Sequence, residues 1–137
     1  MKDEELTGKI IGCAMKVHRT LGSGFLESVY QHALVHELKK EGLEVACEVP
    51  LCVLYDGVVV GEFAADLLVN GKVIVENKAV QRLCAAHEVQ LVNYLSATGI
   101  DIGLLLNFGS PELEFKRKYR LFEKPSSSHP VNPVNPV

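Results

Sequence analysis

Leu6, Ile10, Cys13, Ala14 and Val17 recur at mostly helical spacings over residues 4–20, and LGSG at 21–24 interrupts the pattern, which predicts a first helix. A second apolar stripe through Leu26, Val29, Tyr30, Ala33, Leu34 and Leu38 predicts a helix from about Phe25 to Lys40, capped by Ser23 and stopped by Gly42. From Val45 the period changes. The β-branched runs VACEVPLCVLY, VVVGEFAADLLV and KVIVENKAV are separated by Asp56-Gly57 and Asn70-Gly71, which predict a meander of two hairpins. Helical spacing returns over 84–98 through Val89, Val92 and Leu95, and Gly99 ends it. IGLLLNF at 102–108 and ELEFKRKYRLF at 112–122 read as two more strands. The order ααβββαββ defines an α/β (α+β) domain with a central mixed sheet flanked by helices and no internal repeat.

With 137 residues, 47% of them hydrophobic and 23% charged, the chain can bury one core, expected over 1–124. Tryptophan is absent, so that core is mainly aliphatic. The segment PSSSHPVNPVNPV at 125–137 denies regular backbone donors and is expected to be a solvated tail. Cys13, Cys47, Cys52 and Cys84 form no CxxC pair, which predicts buried thiols in a reducing compartment and not a zinc site. The N-terminal MKDEELTGK lacks an apolar signal region, and no run reaches the ~20 apolar residues of a membrane span. A cytoplasmic protein without a membrane partner is expected.

A net charge of -3 argues against an electrostatic wrapper of long duplex DNA. It permits a phosphodiester substrate where a basic patch or a bound divalent cation reverses the field locally. The informative residues are Asp66, Glu76 and Lys78. Glu76 and Lys78 are two apart, so an extended strand points both to one face of an otherwise apolar strand, where unpaired charge is costly to bury. One compensation is a site for metal-assisted phosphodiester hydrolysis. There Asp66, Glu76 and the Asn77 backbone carbonyl would ligate Mg²⁺ or Mn²⁺, and Lys78 would orient water or stabilise charge developing on phosphorus. The other is an ion pair of Lys78 with Glu76 and Asp66 at the sheet surface.

Register decides whether the acids can meet. A two-residue Asn70-Gly71 turn pairs Val69 with Lys72 and leaves Asp66 and Glu76 on opposite faces. A three-residue connection or a bulge brings Asp66 opposite Glu76 and Ala64 opposite Lys78, so an irregularity is predicted between residues 63 and 73.

Elsewhere, His87, Gln90, Leu91 and Tyr94 share a helical face. Gln90 could bind phosphate or support Lys78, and Tyr94 could position Gln90 or stack on an unpaired base. Lys116, Lys118 and Arg120 alternate with Arg117 along one strand, forming either a phosphate-contacting rim or a charged edge that opposes aggregation. His18, His32, His36, His87 and His129 have no ligand cluster around them and read as non-catalytic.

Gly24-Phe-Leu-Glu27-Ser-Val-Tyr30 resembles the defining motif of the GxxExxY protein family, within the PD-(D/E)XK nuclease superfamily. FAAD at 63–66, IVENKAV at 74–80 and QLVNYL at 90–95 extend the resemblance to roughly residues 5–122. It implies a restriction-endonuclease-like core of about four strands with catalytic groups along the central hairpin, and a metal-binding role for Glu27. Gln90 and Tyr94 resemble the QxxxY motif of the RecB-like exonuclease branch, where such residues lie near DNA or the catalytic centre. Tyr30, Tyr94, Lys116, Lys118 and Arg120 are candidates for substrate positioning. Family members commonly carry an apolar residue where this chain has Asn77. The implied activity is Mg²⁺-dependent nucleic-acid hydrolysis, of DNA in the first place. The alternative is a nuclease-fold interaction or regulatory module without activity. So small a chain leaves specificity to a homodimer or a DNA-processing partner.

Overall fold

The structure, a computed structural model, describes residues 3–121. Helices α1 (Glu4–Leu21) and α2 (Glu27–Lys40) precede strands β1 (Val45–Tyr55), β2 (Val58–Val69) and β3 (Val73–Lys78). Helix α3 (Ala85–Thr98) and strands β4 (Ile102–Asn107) and β5 (Glu114–Tyr119) complete the expected order. The proline-rich stretch 125–137, with His129, lies outside the described residues, as does the last part of the expected 1–124 domain.

The strands form one mixed sheet in the order β1-β2-β3-β4-β5, five strands where about four were expected. Only β3 and β4 run parallel, because α3 carries the chain back between them. Alternation along β3 sends Val73 and Val75 into a cluster with Ile10, Ala14, Tyr30 and Leu34, beneath α1 and α2. It sends Ile74 into a second cluster with Leu91, Leu95 and Leu105, beneath α3. With both faces covered, β4 is buried along its whole length. A Cβ on Gly103 would lie 2.8 Å from Leu91 Cδ1, so glycine there lets α3 approach the sheet.

Tyr30 organises the connection between the first two helices. It is fully buried and stacks on Phe108 with ring centroids 4.8 Å apart. Its hydroxyl donates to the Gly22 carbonyl and accepts the Phe25 N–H at 3.1 Å. Gly24, at φ 114, supplies a backbone conformation that side chains rarely allow. Ser23 does not cap α2 as expected: Leu26 holds the N-cap position without a side-chain bond, and the tyrosine hydroxyl fixes the turn instead. Glu27 thereby becomes the first residue of a firmly anchored helix.

The expectation of buried thiols fails for three cysteines. Cys13 is buried on the inner face of α1, but Cys47 and Cys52 lie exposed on the edge strand β1 and Cys84 lies exposed at the start of α3; all four are free.

Asn77 is completely buried, and among the described residues neither its amide nitrogen nor its amide oxygen has a hydrogen-bond partner. Its place in the strand directs it to the α1/α2 side, beside Leu106 on β4. A buried amide without partners costs about 1–3 kcal/mol per group. Asn77→Leu, which keeps the side-chain volume, should therefore raise unfolding stability by about 1–3 kcal/mol in a denaturant titration. A loss of stability would show that the amide is satisfied.

Candidate active site

The β2–β3 ladder pairs Val69 with Val73, Leu68 with Ile74 and Leu67 with Val75, then stops. The hairpin thus has the three-residue connection Asn70-Gly71-Lys72, with both Asn70 and Gly71 at positive φ, and not the strict two-residue turn. One further step of that register sets Asp66 opposite Glu76. There the side chains replace the ladder. The Asp66 N–H donates to Glu76 Oε2 at 2.9 Å, and the Asn77 N–H donates to Asp66 Oδ2 at 2.7 Å. Ala64 does not pair with Lys78 as the extended register would require, because β2 and β3 no longer bond beyond this point; Ala64 pairs with Pro50.

A second irregularity crosses the sheet at the same place. Ala65 packs in the cluster beneath α3, whereas Leu67 packs beneath α1 and α2, so alternation along β2 slips by one residue at Asp66. On β1 the slip is matched by Glu48, which takes φ 50 and drops out of the ladder between the pairs Cys47↔Leu67 and Val49↔Ala65. Gln31, one turn along α2 from Glu27, donates to Glu48 Oε2 at 2.8 Å. The N-terminal turn of α2 is thereby tied to the kink that carries Asp66.

Sequence reasoning missed Glu48. Counting back from the Asp56-Gly57 turn, where Tyr55 pairs with Val58, sets Glu48 opposite Ala65; the register shift between Val53 and Leu54 moves it to the Asp66 position. The one available signal is a charge within an apolar strand.

Burial, and then neighbouring acids, raise the proton affinity of both carboxyls. Burial pushes the Asp66 carboxyl up, the Asn77 N–H opposes this, Glu27 and Glu48 add to the rise, and Lys78 reduces it. Glu76, only 6% exposed, is pushed up to about 8, by burial first and then by Asp66, against the Asp66 N–H and Lys78. Tyr94 is raised to about 12, by burial first and then by the charges of Glu76 and Asp66. Lys78 is half-buried near both acids but lies in no ion pair among the described residues.

The other candidates divide. Gln90 is exposed on α3 and lines a groove with Tyr94. Tyr30 is sealed in the core, so it cannot touch a substrate and acts on the site only by anchoring Glu27's helix. Lys116 shares the sheet row of Glu76 with Leu105 between them, about 10 Å away in backbone distance. Lys118 pairs with Glu88 at 2.9 Å and Arg120 with Asp101 at 2.9 Å, so neither is a free phosphate donor. His18 bonds the Ser110 carbonyl at 2.9 Å. His87 Nδ1 accepts from the Cys84 N–H at 3.2 Å at the start of α3.

Two carboxylates, partly buried Asp66 on β2 and buried Glu76 on β3, stand beside a lysine that has no ion pair among the described residues, a set of hard oxygen donors of the kind that divalent cations take. The chain matches the family model of the PD-(D/E)XK nuclease superfamily over residues 4–118 and belongs to that superfamily. Its fold resembles a solved structure titled "Crystal structure of SSO0001", with a TM-score of 0.58 and 17% identity over 70% of this chain and 50% of that one. The chain thus spans half the length of that structure. No curated protein matches the sequence. Among the described residues, no helix is long and apolar enough to cross a membrane.

The donors fit the divalent cation that such nucleases use. One oxygen of each carboxylate is bonded to a backbone N–H, the other is uncommitted, and cation charge would relieve the repulsion that raises both groups. Among the described residues, no three His, Cys, Asp or Glu side chains converge as a ready-made metal cage.

The raised carboxyl makes stability pH-dependent. Glu76 holds its proton more tightly folded than unfolded, so its contribution is full below its ordinary value of 4.5 and is lost as pH rises towards about 8. Glu76→Gln, which keeps the carbonyl acceptor for Asp66, should raise the melting temperature by several degrees at pH 8 and little at pH 4.5. Adding a divalent cation should flatten the wild-type profile. Parallel melting curves for the two proteins across that range would disprove the assignment.

Proposed function

We propose that this chain hydrolyses phosphodiester bonds in nucleic acid, DNA in the first place, with Mg²⁺ or Mn²⁺ held by Asp66 and Glu76. The observation that carries the reading is the pair of carboxylates bonded across the opened end of the β2–β3 ladder, beside Lys78. The bound cation would supply charge neutralisation at the phosphoryl group and activation of water. Glu27 enters from α2 and the Asn77 carbonyl from β3 as further oxygen donors. Lys78, with no competing ion pair, faces the charge that develops on phosphorus. Gln90 and Tyr94 hold the substrate against α3, and Lys116 offers a phosphate contact at the sheet's far side. Gly24, Glu27 and Tyr30 around one turn support the proposed membership of the GxxExxY family, and Gln90 and Tyr94 on one groove support the proposed RecB-like likeness. A cytoplasmic setting accords with the exposed free thiols, and a homodimer or DNA-processing partner would supply specificity.

A second reading has its own observation. The absence of a converged three-acid cage among the described residues, with Asn77 in an otherwise apolar position, favours a nuclease-fold interaction module without activity.

Metal titration and cleavage assays separate the two. Asp66→Asn and Glu76→Gln should each weaken Mn²⁺ binding and lower single-turnover cleavage about 100-fold or more, consistent with loss of a charged oxygen ligand from a phosphoryl-transfer site. Lys78→Ala should depress the rate at saturating substrate more than it depresses binding. Unaltered metal affinity in both carboxylate variants would remove the site. Metal binding without cleavage of single-stranded, duplex, branched or RNA substrates would leave the interaction module. Replacing Lys116 and Lys118 together should lower affinity evenly across sequences and reduce its salt slope by less than two phosphate contacts require, because Lys118 is already held by Glu88.

A further inference from the structure

Beside the carboxylates, α3 and the β1–β2 hairpin enclose a groove of about 550 Å³. Val53, Phe63, Val89 and Tyr94 form its walls, and the amides of Gln90 and Asn93 stand along it. Phe63 and Tyr94 stack, with ring centroids 4.2 Å apart and planes 21° from parallel. Val89 is left 55% exposed. The groove lies near the acid pair along β2, where Phe63 of its wall stands three residues before Asp66, and the charges of Glu76 and Asp66 act on Tyr94.

Two features restrict what enters. Glu76 is recessed at 6% exposure, so the phosphate of a rigid duplex would have to reach down past the groove walls to meet it. The charges acting on Asp66 are mainly acidic, with Lys78 the exception, and at the far edge of the sheet Lys118 and Arg120 are held by Glu88 and Asp101. Binding therefore cannot rest chiefly on phosphate neutralisation. A flat, apolar ring with hydrogen-bonding edges suits these walls: faces against the stacked aromatics, edges against two amides that can each donate and accept. In a duplex those ring faces and edges are already used.

We infer that this groove seats an unpaired nucleobase next to the scissile phosphate, so that the substrate is single-stranded or frayed nucleic acid. The inference rests on the nuclease reading for the phosphate but not for the base. Phe63, which the sequence motifs single out only as the start of FAAD, becomes a binding residue.

The test uses the full chain in EDTA, where no cleavage intervenes, with labelled oligo(dT), oligo(rU), a blunt duplex and an abasic oligomer of equal length. The acids repel the dT and abasic strands alike, so the ratio of their affinities isolates the base. Oligo(dT) should bind about tenfold or more tightly than the abasic strand. Phe63→Leu should bring the ratio close to one, Val89→Ala should lower it, and Tyr94→Phe should preserve it. The dT and rU arms distinguish the sugar that accompanies the base. Equal binding of base-bearing and abasic strands, or preference for the blunt duplex, overturns the inference, as does a full ratio in folded Phe63→Leu. If circular dichroism shows that this variant does not fold, the wild-type ratio and exposed Val89→Ala decide. Cleavage with Mn²⁺ is scored separately. Cutting without base preference rejects only the groove, and base preference without cutting rejects only the nuclease reading.

Discussion

The site depends on two carboxylates taking over hydrogen bonds that a β-ladder has given up. Past Leu67 and Val75 the β2 and β3 backbones no longer pair, and buried amide groups without partners are strongly disfavoured. Glu76 accepts from the Asp66 N–H and Asp66 accepts from the Asn77 N–H, so the strands can separate without leaving those donors orphaned. The same bonds hold two acids together in a partly buried place, and their proton affinities rise in consequence. Structural satisfaction and chemical tension come from the same atoms.

Several remote features converge on that place. The register shift at Val53/Leu54 brings Glu48 level with Asp66, and the left-handed backbone of Glu48 lets β1 follow the slip in β2. Tyr30 locks the turn before α2, so Glu27 starts a helix that cannot drift, and Gln31 ties the helix to Glu48. On the outgoing side, Asn107 Oδ1 accepts from Val80 and Gly109 while its amide donates to Glu114, and the Phe108 N–H bonds the Lys78 carbonyl. A Cβ at Gly109 would meet the Val80 oxygen at 2.4 Å, which is why the chain can pass so close behind Lys78. The lysine is thus held by its backbone while its ammonium stays unpaired.

Charge is arranged differently from what the basic run suggests. In sequence, Lys116 to Arg120 looks like a continuous positive rim. In the fold, β5 is an edge strand; Lys118 on it fastens α3 through Glu88, and Arg120 just beyond it fastens the loop before β4 through Asp101. Arg117 points the other way, to the Thr7 hydroxyl on α1. On the proposed nuclease reading, substrate contact would pass instead to the apolar groove lined by Tyr94 and to a cation held by the acid pair.

Element order, the mixed sheet and the acidic–basic pattern of β2 and β3 were legible in the residues because each depends on local periodicity, turn chemistry and the cost of burying charge. Asp66, Glu76 and Lys78 stood out for that last reason. The irregular hairpin was legible too, because only a three-residue connection or a bulge sets Asp66 opposite Glu76; packing of Leu67, Val69, Val73 and Val75 beneath the helices accompanies the three-residue form. Three things were not legible. Glu48 joined the site through a bulge several residues away, and the partners of Lys118 and Arg120 lie in distant segments. The fully buried state of Tyr30 follows from Phe108, far along the chain. Sequence alone determined which chemistry is present and on which elements, since those follow from near neighbours; tertiary structure alone decided which groups meet, since one residue of register turns every side chain of a strand to the opposite face.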